Sequence, residues 1–344
     1  MKKCLLMLGA LMIMSACTAP EAVLSLKMQG SSSRSLTFET CRAVSENEIE
    51  FVFSRPVTVK NVSLYQEANF RSSEAPGIAV DSVENGNTVK VTLKENAQPG
   101  SVITADLLAE DENKNTINVL TTLRARNNRM PELVINEICT EYSNPRTEFI
   151  EFKMMSDGNL GGMRVFIIGN SNAARQTIYE FMPAEVKRDE YIVLHLRTVE
   201  EDCKDEYGES LNESGGRNAT PQSRDIWIPG NTKLVHKDAT IIYILNQEDA
   251  VLAAVMISSS ADSWWSRDYH AQAATFLYSQ GFWLSPEGNA GGPVNAARSS
   301  GTSNTRTICR DETKENANTA SSWYVTVNSG ISAGKPNNTG RYSN

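Results

Sequence analysis

The chain reads as all-β: two β-sandwiches in tandem, the second carrying an inserted loop and helix. Three observations predict this. Short runs with period-two alternation recur along most of the sequence. Gly, Pro, Asn and Asp clusters separate them at close intervals. Neither heptads nor a 20–50-residue repeat interrupts the pattern. At about 150 residues per domain, 344 residues leave room for two sandwiches. A hydrophobic content of 40% excludes general disorder.

The first sandwich is expected over residues 24–128. Glu48-Ile49-Glu50-Phe51-Val52-Phe53 sets Ile49, Phe51 and Phe53 on one strand face. Residues 80–83 and 88–93 flank Glu84-Asn85-Gly86-Asn87, and Asn-Gly between alternating runs signals a hairpin. Residues 102–108 and 117–123 flank a further turn at 110–115. The segment Phe51-Val52-Phe53-Ser54-Arg55-Pro56-Val57 and the polar final hairpin resemble the Ig-like modules of bacterial surface proteins. Asp111-Glu112-Asn113-Lys114-Asn115 alternates oxygen-bearing side chains as a calcium loop does. Thr116, however, stands where that loop needs Gly, and Thr122 where it needs a bidentate Glu. A hairpin turn rich in Asp and Asn is expected there.

Pro131 favours extended backbone before it, which places the joint at 129–131. Strands then follow at 132–138, 147–152, 163–168, 191–196, 240–245 and 251–257, with turns at 158–162 and 246–249. This order resembles the lamin-tail domain. The matching segments are Val134-Ile135-Asn136-Glu137-Ile138, Glu148-Phe149-Ile150-Glu151-Phe152 and the Asn159-Leu160-Gly161-Gly162 turn. Asn304-Thr305-Arg306, Ser321-Ser322-Trp323 and Gly334-Lys335-Pro336-Asn337 complete them. The chain departs from the family at Phe152-Lys153 and in its long insertion. The resemblance implies a lamin-tail-like sandwich over 132–337, followed by a tail at 338–344, and no particular activity. It also implies a disulfide between Cys139 and Cys309. Cys41, Cys139, Cys203 and Cys309 would otherwise allow three connectivities, or free buried thiols.

Met1-Lys2-Lys3 is basic, residues 5–14 are almost wholly apolar yet too short to span a bilayer, and Ser15-Ala16-Cys17 follows. This resembles the lipobox of bacterial lipoproteins. It implies a signal peptide over 1–16, cleavage between Ala16 and Cys17, diacylglycerol on the Cys17 sulfur, and a lipidated tether over 17–23. Several acyl chains together suffice for stable anchoring. No later stretch reaches the roughly 18 apolar residues of a spanning helix. Thr18, in place of an Asp, points the expected location to the outer membrane and the cell surface.

A formal net charge of -8 without a basic stripe excludes a nucleic-acid partner. Three His residues without Cys/His clustering exclude a zinc site, and no cofactor motif occurs. The acidic stretch from Glu200 to Glu209 reads as a solvated loop face rather than a cation site.

Residues 264–283 hold seven aromatics, Trp264, Trp265, Tyr269, Phe276, Tyr278, Phe282 and Trp283, against 7% for the whole chain. A helix is expected over 268–280, with Tyr269, Ala273, Phe276 and Leu277 on one face and Gly281 at its C′ position. Packing against the sandwich is one reading of these rings. The other is a ligand platform formed by Trp264, Trp265, Tyr269 and Trp283, stacking on sugar or gripping a protein. Adjacent Trp264 and Trp265 cannot face the same side, so one of them is expected at the surface.

Nucleophilic catalysis needs a His held by an acid. His195 falls inside a strand, His236 beside a turn, and His270 beside Asp268 without a nucleophile elbow. Glu148 and Glu151 pair on strand positions without a hydrolase context. The expectation is a membrane-tethered, non-catalytic module that binds or adheres to a protein or carbohydrate through its loops. A periplasmic scaffold is the alternative, and a hydrolase the third. Exposed aromatics favour binding and buried ones a scaffold. His270 converging with Asp268 and a hydroxyl would favour catalysis.

Overall fold

The computed structural model describes residues 35–66, 76–169, 176–315 and 318–343, with the backbone of 24–27. Ala16, Cys17 and the rest of the expected signal peptide lie outside the described residues. The chain divides into two compact units, residues 1–95 with 102–123, and 96–101 with 124–344.

The first unit contains β1 (Leu24–Lys27), β2 (Phe38–Ala43), β3 (Glu48–Gln66), β4 (Gly77–Ile78), β5 (Val80–Glu84), β6 (Gly86–Leu93), β7 (Val102–Asp111) and β8 (Thr116–Arg124). Their order is β1-β8-β7-β3-β6-β5, with β2 and β4 also on β3. The first half of β3 pairs with β6 and its second half with β7, so one 19-residue strand joins the two sides of the sheet. Ile49, Phe51 and Phe53 are buried as their alternation requires. The Asn-Gly hairpin forms between β5 and β6. Asp111 accepts hydrogen bonds from Asn113 N and Asn115 N, both at 2.9 Å, from Asn115 Nδ2, and from Arg55. Its carboxylate is therefore spent on closing the turn.

In the second unit, β9 (Leu133–Cys139), β10 (Phe149–Met154), β11 (Gly158–Asn159), β12 (Arg164–Ile168), β13 (Thr177–Glu180), β14 (Glu185–Val186) and β15 (Tyr191–His195) come first. A long insertion leads to β16 (Arg224–Trp227), β17 (Thr240–Leu245) and β18 (Val251–Ser258). Then come α1 (Asp268–Ser279), β19 (Ala297–Arg298), β20 (Ile308–Arg310) and β21 (Trp323–Val325). One sheet runs β16-β15-β10-β9-β20-β21 and the other β13-β12-β17-β18-β19. Between them lies one apolar core, including Ile135, Ile150, Phe152, Ile192, Leu194, Ile242 and Val255. Among the described residues the protein is thus all-β apart from α1 and short 3-10 turns.

Residues 96–101 belong to this second unit. Gly100, at φ +70, lies so close to Gly161 that a Cβ would fall 2.0 Å from its carbonyl carbon. Only glycine fits there. Asn127 extends the same stitching, its Nδ2 donating to Asn159 O at 2.8 Å and Gly161 O at 2.9 Å.

Candidate functional site

Gly281, at φ +77, ends α1 as expected. The buried face of the helix is His270, Ala273, Ala274 and Leu277, one residue round from the expected one. Tyr269 and Phe276 pack at its margin, half-buried. The segment after the helix is stapled down by three aromatic donors. Trp265 Nε1 donates to Gly291 O at 3.2 Å, Trp283 Nε1 to Asn295 O at 2.9 Å, and Tyr278 Oη to Gly288 O at 2.8 Å. Trp265 and Trp283 are consequently buried, and neither offers a ring face to a ligand, which corrects the four-ring platform. An indole that must place its N–H on a backbone carbonyl is held inward. Trp264 is the exception at 75% exposed. Leu284 and Val294 are also exposed, and Val294 N donates to Asp262 O at 2.9 Å, tying that turn to the Trp264 loop. Nearby, Leu133, Ile135, Leu252, Ala254, Phe282 and Trp323 line a cleft of about 130 Å³.

The outward face of the six-stranded sheet is the second candidate. Between β9 and β10 the register slips, so Glu151 faces Glu137 and Phe152 faces Ile135, with Asn136 as the extra residue. This bulge turns Asn136 and Glu137 to the same polar neighbourhood. Both are buried, as are Glu151 and Asn337. Asn136 Nδ2 donates to Glu151 Oε1 at 2.9 Å, and Gly334 N donates to Glu151 Oε2 at 2.6 Å. Glu137 accepts from Thr307 Oγ1 at 2.5 Å, Ser332 N at 3.0 Å and Ser332 Oγ at 2.8 Å. Asn337 Nδ2 reaches Asn136 O at 3.0 Å and Arg310 O at 2.9 Å. Ile331 and Ala333 pack on Cys139, Phe149 and Val193. Burial raises both carboxyls above the ordinary range, Glu151 strongly, with Glu137 adding repulsion.

Beside this face, His195 Nε2 meets Asp225 Oδ1 at 2.7 Å and His195 Nδ1 meets Thr147 Oγ1 at 3.3 Å. All three are buried, and Trp227 stacks on the imidazole with centroids 3.7 Å apart. Glu148 takes a bidentate pair from Arg197 at 2.7 and 2.5 Å. Glu148 and Glu151, three residues apart in sequence, thus serve different networks. The insertion is also more ordered than a solvated acidic loop. Glu206 is buried and accepts from Glu213 N, Ser214 N and Asp225 N, and Asp205 accepts from Trp227 N.

His270 is buried, with its Nε2 donating to Ile168 O at 3.2 Å. That polar partner is a strand carbonyl and not Asp268. Cys139 and Cys309 are free thiols, which corrects the expected disulfide. Cys309 stands opposite Glu137 in the β9–β20 register, making Cys139 its diagonal neighbour. Diagonal Cα atoms lie about 7–8 Å apart, beyond disulfide reach. Cys139 instead donates to Glu141 O at 3.5 Å, and burial pushes its thiol up to about 12.

Sequence reasoning missed the carboxylate network, although Asn136, Glu137, Glu151, Gly334 and Asn337 all sit in motifs it singled out. The signal was the recurrence of polar residues at fixed places in otherwise apolar strands.

Among proteins of known sequence, an uncharacterized protein of Treponema pallidum (strain Nichols) is 32% identical over 109 residues. The match covers 30% of this chain and 27% of that protein, so the chain spans little of the relative's length. Among solved structures, the FN1–FN3 domains of chicken CNTN1 align with 65% of this chain and 98% of theirs. With a TM-score of 0.17 and 10% identity, that superposition carries no weight. The family model described as "protein second domain" matches residues 131–325, more than half of the chain and almost all of the second unit's sandwich. The chain belongs to that second-domain family.

Proposed function

We propose that this chain is a lipid-anchored protein of a bacterial cell envelope that acts as a non-catalytic binding module. Cys17 is its anchor, the outer membrane its site, and a protein or carbohydrate its ligand. The observation that carries the reading is Trp264: a loop tied to the segment after the helix by Trp265 Nε1 on Gly291 O and by Val294 N on Asp262 O presents this indole to solvent. A rigid loop gives up little conformational entropy when it binds, and exposed Trp is a common anchor at interfaces. Val294, exposed and bonded through its N–H to Asp262 O, adds an apolar side chain to this turn. The second unit is read as lamin-tail-like, supported by the convergence of Asn136, Glu137, Glu151, Gly334 and Asn337 in one network. The scaffold alternative draws on the burial of Trp265 and Trp283.

Proteinase accessibility on intact cells is the first test, with Cys17→Ala as control. The binding reading expects the wild type to be shaved and the control to be shed or mislocalised. Protection of the wild type on intact cells overturns an outward-facing role. Glycan-array and host-protein binding by Trp264→Ala then locates the contact, with loss of binding expected at unchanged stability.

A further inference from the structure

Residues 331–337 run across the outward face of the six-stranded sheet as a strap. The strap is held there by side chains more than by a ladder. Its hydrogen bonds to the sheet end on two carboxyls, through Ser332 N, Ser332 Oγ and Gly334 N, and on the backbone of Asn136 and Arg310 through Asn337. Those carboxyls, Glu137 and Glu151, face each other in register on adjacent strands, and both are fully buried. Among the described residues neither forms an ion pair with Lys, Arg or His. Nearby charge does not neutralise them. Lys153, on β10, is taken by Glu312 at 3.4 Å, and Glu312 also receives Asn337 N. His195 of β15 is taken by Asp225 of β16. Tyr191 of β15 lies opposite Lys153. On β20, Cys309 faces Glu137, and Arg310 donates to Lys314 O. Tyr324, on β21, pairs with Cys309 and hydrogen-bonds to Asn338 O. Lys335 of the strap makes no ion pair with either carboxyl.

Two like charges facing each other in register and removed from water cannot both ionise without a large cost. We propose that the strap is a proton-held clasp, gripped while the facing Glu137–Glu151 pair retains a proton and loosened when both carboxyls ionise. The linkage has a definite sign. Both groups titrate higher when the strap is closed than they would in water, so closure is most stable at low pH. It weakens as pH climbs from the ordinary carboxylate range towards the raised values. Opening would uncover Phe149, Val193 and the Cys139 thiol, now beneath Ile331 and Ala333.

Hydrogen exchange of the full chain from pH 5 to pH 8, corrected for intrinsic exchange, tests this. Protection of residues 331–338 should fall by up to tenfold per pH unit relative to residues 240–257. Glu137→Gln, whose amide oxygen can still accept from Ser332 N and Oγ while its NH2 donates to Thr307 Oγ1, should flatten that dependence. It should also slow alkylation of Cys139 at pH 8 severalfold against wild type, a readout that loss of packing alone would move the opposite way. Strap protection independent of pH in the wild type overturns the proposal, whether or not the variant folds. An unchanged pH dependence in a folded Glu137→Gln also overturns it.

Discussion

On one face of the six-stranded sheet, Ile135, Ile150, Phe152 and Leu194 meet the opposing sheet as hydrocarbon. On the other, Asn136, Glu137, Glu151, His195 and Asp225 are just as inaccessible to water. The inner face is stabilised by area removed from solvent and tolerates shape changes in proportion to volume. The outer face is stabilised only while every donor meets its acceptor, and a lost partner leaves a buried polar atom behind. Equal burial therefore carries different risks on the two sides.

Several substitutions separate the two faces. Phe152→Ala removes a fully buried ring that meets Phe181 edge-on at 6.0 Å. It should cost about 4 kcal/mol in denaturant unfolding. On the polar side, Arg197→Met strands the buried Glu148 carboxylate and should cost about 3 kcal/mol by the same measurement. Asn337→Ala orphans Asn136 O and Arg310 O and should cost about 2 kcal/mol. A loss for Asn337→Ala as large as that for Phe152→Ala would erase the distinction between the two faces.

The pH response sharpens the contrast. Asp311 accepts from Thr313 Oγ1 and Arg341, which hold its carboxyl down to about 2. Its contribution is present above the ordinary carboxylate range and lost as pH falls towards 2, the reverse of Glu137 and Glu151. Asp311→Asn should shrink the drop in melting temperature between pH 5 and pH 2.5 while leaving the alkaline limb unchanged. Smallest of all, Trp264→Ala should change stability by no more than about 0.5 kcal/mol, because the ring is exposed.

The apolar side of the molecule is legible in the sequence because period-two alternation reports burial on one face directly. Ile49, Phe51 and Phe53 are the plainest case. The aromatic segment is legible in part. Opposed directions for Trp264 and Trp265 follow from spacing alone, whereas the inward pull on Trp283 depends on a carbonyl twelve residues away. The outer polar face is hidden. Glu137 and Glu151 look like solvent-side strand residues until Ser332 and Gly334 arrive from nearly 200 positions downstream. The bulge that swings Asn136 beside Glu137 leaves no mark in the alternation either. The Cys139–Cys309 expectation failed for a related reason, since which strands neighbour each other is legible before their register is.

The strap also bears on biogenesis. Residues 331–337 are translated after all the strands they cover, so the sheet's outer carboxyls face water throughout most of synthesis. A chain interrupted before Ser332 can assemble its hydrocarbon interior, yet it leaves Glu137 short of two of its donors and Glu151 without Gly334. The strap thus completes the outer face of the sheet, and a protease that samples loose sheet surfaces would tell molecules that carry it from molecules cut before Ser332.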